Sequence, residues 1–67
     1  MTHPMTHLKS LQQIIDLLEA AKEDADMFDL GNKSAGTRLR VQALEAKKGL
    51  DALRKSVQDT KQARAEG

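Results

Sequence analysis

Phe28-Asp29-Leu30-Gly31-Asn32-Lys33-Ser34 interrupts what is otherwise one long helical pattern. Gly31 is the residue type that turns left-handed after a helix end without a Cβ penalty. Asn32 directly after it is a good N-cap, since its side chain accepts a backbone N–H from the first turn of a new helix. A helix end and a helix start two residues apart leave the chain little choice but to double back. The spacing predicts an antiparallel αα-hairpin with its turn at 31–32.

Working outward, both flanks carry apolar residues at helical steps of three and four. Before the turn these are Leu11, Ile14, Leu18, Ala21, Ala25 and Phe28, with Leu8 and Ile15 widening the stripe. After it they are Leu39, Ala43, Ala46, Leu50, Leu53, Val57 and Thr60. The expected layout is a flexible leader over 1–6, helix 1 over 7–30, helix 2 over 33–64 and a frayed tail over 65–67. Pro4 keeps helix from starting before it, and Thr6 is the expected N-cap. Gly36 and Gly49 each weaken helix 2 by about 1 kcal/mol relative to Ala, and Gly36 admits a close approach of the two arms. The alanines lie toward the turn, so Leu50, Leu53 and Val57 are expected to meet the bulky Leu8–Leu18 end.

Sixty-seven residues with no cysteine have few ways to stabilise such a hairpin alone. Below roughly 70–80 residues a single core seldom supplies more than about 3–5 kcal/mol, and disulfides or cysteine metal sites are excluded here. At about 1.5 Å per residue the helices are roughly 36 and 48 Å long, with stripes wider than two helices can cover. The fold class is therefore all-α, a two-helix hairpin expected to dimerise into a four-helix bundle or coiled coil. The expected dimer core is Leu11, Ile14, Ile15, Leu18, Phe28, Leu39, Leu50, Leu53 and Val57.

Charge is split between the arms. Residues 1–30 carry two cations against six carboxylates, net −4, and residues 31–67 carry nine against four, net +5. Arg40, Lys47, Arg54 and Lys61 recur every seven residues along helix 2, with Lys48 and Lys55 on an adjoining line. Together they form a stripe about 30 Å long, the right shape to follow a phosphate backbone. Two readings stand: a free basic surface for nucleic acid, or cations paired with the acidic arm beside them.

Nothing in the sequence assembles chemistry. His3 and His7 are four apart, but Pro4 lies between them. The carboxylates Asp16, Glu19, Glu23, Asp24, Asp26 and Asp29 lack the alternation around a glycine that a calcium loop needs. The serines have no base at an activating spacing, and no strand precedes a glycine-rich loop. No enzyme, metal, cofactor or small-molecule substrate is read. With one Phe and no Trp or Tyr, base stacking is nearly excluded. No apolar run is long enough to span a membrane, and a cytoplasmic setting is expected.

The stretch Gly31-Asn32-Lys33-Ser34-Ala35-Gly36-Thr37-Arg38-Leu39-Arg40 resembles the Gly-Asn-Lys-Ala-Ala-x-x-Arg-x-Arg signature of bacterial histone H1-like proteins. The likeness continues through Leu44-Glu45-Ala46-Lys47-Lys48 and Leu53-Arg54-Lys55-Ser56-Val57, and Leu17-Leu18-Glu19 has the family's spacing before the turn. It covers about residues 14–61 and reads as a short, tailless member. The resemblance implies a nucleoid-associated protein that contacts double-stranded DNA through its phosphates and organises or compacts the chromosome. Carried over by position, the matching basic residues are Lys33, Arg38, Arg40, Lys47, Arg54 and Lys55. With Lys48 and Lys61 from the stripe, these make up the expected DNA-binding set. The alternative is a helical dimerisation module that does not touch nucleic acid.

Overall fold

The structure, a computed structural model, describes residues 6–66. Two helices, α1 (Thr6–Asp29) and α2 (Lys33–Glu66), pack against each other as an antiparallel hairpin. Thr6 is already helical, and α2 runs on to Glu66, so both ends differ by a residue or two from the spacing-based bounds. His3, Pro4 and Gly67 lie outside the described residues.

The turn has the chemistry its residues dictate. Gly31 takes a φ of 103°. The Gly31 N–H donates to the Phe28 carbonyl at 2.9 Å and the Asn32 N–H to the Met27 carbonyl at 3.0 Å. That pair of bonds is a Schellman cap, and it satisfies two carbonyls the helix end would leave open. On the other side, the Ala35 N–H donates to Asn32 Oδ1 at 3.1 Å, which makes Asn32 the N-cap of α2. Nothing lies within 4 Å of a Cβ placed on Gly31, so a substitution there is penalised by backbone strain alone. Gly31→Ala is expected to cost roughly 1–2 kcal/mol, read as a lower urea midpoint, with Gly31→Asn falling between.

The helices touch along a row the hydropathy pattern only half identifies. On α1 the inward row is His7, Ser10, Ile14, Leu17, Ala21 and Asp24. On α2 it is Ala35, Leu39, Gln42, Ala46, Gly49, Leu53, Ser56 and Thr60. Both step by threes and fours, but they are turned about half a residue step, roughly 50°, from the apolar rows read in the sequence. Among the described residues only Ile14, Ala21, Ala35 and Ala46 are buried. Leu8, Leu11, Ile15, Leu18, Phe28, Leu50 and Val57 each keep 40% or more of their surface exposed. Of Leu50, Leu53 and Val57, Leu53 lies on the inward row, while Leu50 and Val57 lie at the Leu8–Leu18 end of the hairpin but stay largely exposed on its flank.

The reason is size. A row of Ala, Gly and Ser lets two backbones approach closely, and large side chains are displaced to its flank. Gly49 faces Ile14, where an added Cβ would lie 3.1 Å from Cγ1 and 3.3 Å from Cδ1. Gly36 lies under the Phe28 ring, which an added Cβ would overlap; here the expected close approach of the arms is met. Polar pairs complete the row. His7 Nε2 lies 3.0 Å from Ser56 Oγ and 3.4 Å from Thr60 Oγ1 at the open end. Near the turn, Gln42 Nε2 donates to Asp24 Oδ2 at 3.0 Å, while Gln42 Oε1 is buried with no partner.

Candidate nucleic-acid interface

Because α1 and α2 run in opposite directions, residues one step past the inward row lie on the same side of the hairpin on both helices. On one broad face this brings Leu8, Leu11, Ile15, Leu18 and Ala25 of α1 beside Ala43, Leu50 and Val57 of α2. Two shallow hollows sharing Leu39 follow this face, one bordered by Ile15, Leu18 and Ala25 and the next by Phe28, Gly36, Arg40 and Ala43. The opposite face carries mixed charge: Lys9, Asp16 and Glu23 on α1 with Glu45, Lys48, Lys55 and Asp59 on α2.

The basic residues of α2 divide along the same geometry. Arg40, Lys47, Arg54 and Lys61 form one row on the outer edge of the leucine face, with Lys33 continuing it toward the turn. Lys48 and Lys55 lie across the solvent-facing ridge of α2, on the other side of Asp51. Asp51 and Asp59 border the same shallow groove as Arg54 and Lys55 and temper the field there. From Arg40 to Lys61 the row extends about 30 Å at 1.5 Å per residue. Its seven-residue repeat, roughly 10 Å, matches about three phosphate steps of 3.4 Å along one strand's axis.

Arg38 is set apart from the rest. Its Nε donates to Asp24 Oδ1 at 2.9 Å, and that carboxylate is largely buried between the helices. With Gln42 on its second oxygen, Asp24 is held by two donors from α2. Arg38 thus belongs to the clamp that closes the hairpin near its turn. Among the described residues, the only other ion pair is Lys22 with Glu19 at 3.6 Å on α1, and it is well exposed. Arg40, Lys47, Lys48, Arg54, Lys55 and Lys61 have no ion pair with the acidic arm. They lie along the two flanks of α2, and none is within ion-pair distance of an α1 carboxylate.

All of these cations are exposed. Of the expected set, Lys33, Arg40, Lys47, Arg54 and Lys61 share one edge, Lys48 and Lys55 line the other, and Arg38 is committed to Asp24. The sequence reading missed the two polar clamps, His7 with Ser56 and Thr60, and Asp24 with Arg38 and Gln42. Their signal was present as polar residues at helical spacings on the inward rows, Gln42 and Ser56 fourteen apart and Asp24 seventeen from His7. Among the described residues no three His or carboxylate groups gather to hold a metal ion, and no helix is long and apolar enough to cross a membrane.

In comparison with known families, the model described as histone H1-like protein Hc1 matches residues 8–63. No curated protein and no solved structure matches.

Proposed function

Since the chain belongs to the histone H1-like protein Hc1 family, we propose that it is a non-enzymatic protein that binds double-stranded DNA without sequence preference and helps organise the bacterial nucleoid. The observation that carries this reading is the outer row of α2. Arg40, Lys47, Arg54 and Lys61 run along one line, free of the carboxylates of α1. A straight row of cations on a rigid helix releases counterions from a phosphate backbone wherever it lies along it. Lys33, Lys48 and Lys55 add positive charge at the turn and across the ridge.

Base readout has no support in these residues. The helix that carries the cations has no aromatic side chain, and phosphate contacts position a protein on DNA without specifying sequence. A nucleoid-associated, cytoplasmic location follows from such a role. The acidic arm sets a limit on affinity, because α1 holds six carboxylates within one hairpin width of the row.

The test is a mobility shift with random-sequence duplex across a salt series. Binding is expected at low salt and should fade steeply as salt rises, with a log–log slope of about −0.9 per phosphate contact. Equal retention of two unrelated duplexes is expected at every salt concentration. Absence of any shift at micromolar protein in low salt would overturn the DNA reading and leave the helical interaction module.

A further inference from the structure

We infer that α2 seats its solvent-facing ridge in the major groove of duplex DNA, with cations on both of its shoulders meeting the phosphates of the two opposing strands. The inference rests on the DNA reading and adds to it the groove and the pair of strands. Lys47-Lys48 and Arg54-Lys55 are two consecutive basic pairs, seven residues apart. Consecutive residues stand about 100° apart around a helix, so each pair sends one cation to either side of the ridge. The second pair repeats the first roughly 10 Å further along the axis. All four cations are exposed, and among the described residues none has an ion pair. A single phosphate backbone laid along α2 engages one shoulder and leaves the other idle. Two backbones with the helix between them engage both.

The ridge itself argues for the groove. Leu44, Asp51 and Gln58 run along it between the shoulders, again at seven-residue steps, and all three are exposed. Asp51 is three or four residues from each of the four shoulder cations, so a phosphate drawn to the middle of the ridge meets a carboxylate. Phosphates are thereby kept to the shoulders. Leu44 keeps 51% of its surface in water, on a side of α2 that faces neither α1 nor the leucine face. An apolar side chain there finds a counterpart on the major-groove floor, where thymine presents its methyl group. Size selects the groove. A helix with its side chains is about 10–12 Å across, and the major groove is about 12 Å wide against about 6 Å for the minor groove. From Lys47 to Lys55 α2 advances about 12 Å, three to four base-pair steps, short enough to lie in the groove before it curves away. Three ridge side chains two turns apart are too sparse to read a sequence, so the phosphates still supply the affinity.

The test uses the full chain and three duplexes of one sequence. One is unmodified, one carries glucosylated 5-hydroxymethylcytosine, and one carries N2-ethylguanine. The modifications add neutral bulk to the major and the minor groove respectively and leave every phosphate in place. In a mobility shift at about 50 mM salt, affinity is expected to fall at least tenfold on the glucosylated duplex and less than twofold on the ethylated one. Lys48→Glu with Lys55→Glu should then weaken binding to the unmodified duplex about as much as Lys47→Glu with Arg54→Glu, each flattening the salt slope by about 2. Circular dichroism checks that both double variants stay helical. Equal affinity for the three duplexes would overturn the groove, and a loss confined to the Lys47 and Arg54 shoulder would overturn the second strand. Either result leaves the DNA reading intact. No shift with any duplex is the failure of the DNA reading itself, and the groove seating falls with it.

Discussion

Arg54→Glu combined with Lys61→Glu is expected to lower affinity for random-sequence duplex on the order of a hundredfold at about 50 mM salt and to flatten the salt slope by about 2. Both residues are exposed, both lie on the outer row of α2, and neither makes an ion pair with α1. Each reversal removes one phosphate contact and places a carboxylate where the backbone would lie. The necessary control has the same change in net charge elsewhere. Lys9→Glu with Lys22→Glu alters the total by the same amount on the acidic arm. If net charge alone governs binding, the two double variants weaken equally. If the row is the contact surface, the α2 pair loses far more. Helicity should hold in both, since exposed substitutions of this kind change helix stability by a few tenths of a kcal/mol.

Arg38 supplies a different contrast. It matches the family signature, which by position makes it a DNA contact, yet its guanidinium is hydrogen-bonded to Asp24. Removing it leaves a largely buried carboxylate with only Gln42 for company. Its loss is a change to the hairpin before it is a change to any surface charge.

The two-helix architecture was legible because its signal is local. Gly31 and Asn32 act on backbone groups within four residues, and those hydrogen bonds are the ones formed. The spacing of the basic row was equally legible, since a seven-residue repeat fixes a line on a helix whatever packs beside it. The inward face was not. Hydropathy ranks Leu11, Leu18, Leu50 and Val57 above Ser10, Ala35, Gly49 and Ser56, and a reading weighted by hydrophobicity places the former between the helices. Two helices joined by a tight turn instead close on their smallest residues, because close approach gains contact along the whole backbone. His7, Asp24 and Gln42 could not be placed from pattern alone. Their partners are 49, 14 and 18 residues away, and only the register of the turn brings them together. The choice between paired and free cations also depended on rotation, which a half-step error leaves open.

That rotation can be tested through stability. Among the described residues Ile14 is the one large side chain that is buried, 7% exposed and set against Gly49. Ile14→Ala is expected to cost about 2–5 kcal/mol, comparable with the roughly 3–5 kcal/mol a core in a chain of this size supplies. Helical circular dichroism should fall and the urea midpoint should collapse. Leu18→Ala removes a side chain of the same volume from the same helix, but Leu18 is 45% exposed and lies on the outer face. Within one hairpin it touches far less, so its effect should depend on protein concentration, large where chains associate and small in dilute solution. The two substitutions therefore separate the face that closes the hairpin from the exposed face that the expected four-helix bundle would cover. Equal losses for Ile14→Ala and Leu18→Ala across a dilution series would place Leu18 between α1 and α2, and the contact row would have to be turned back toward the hydropathy pattern.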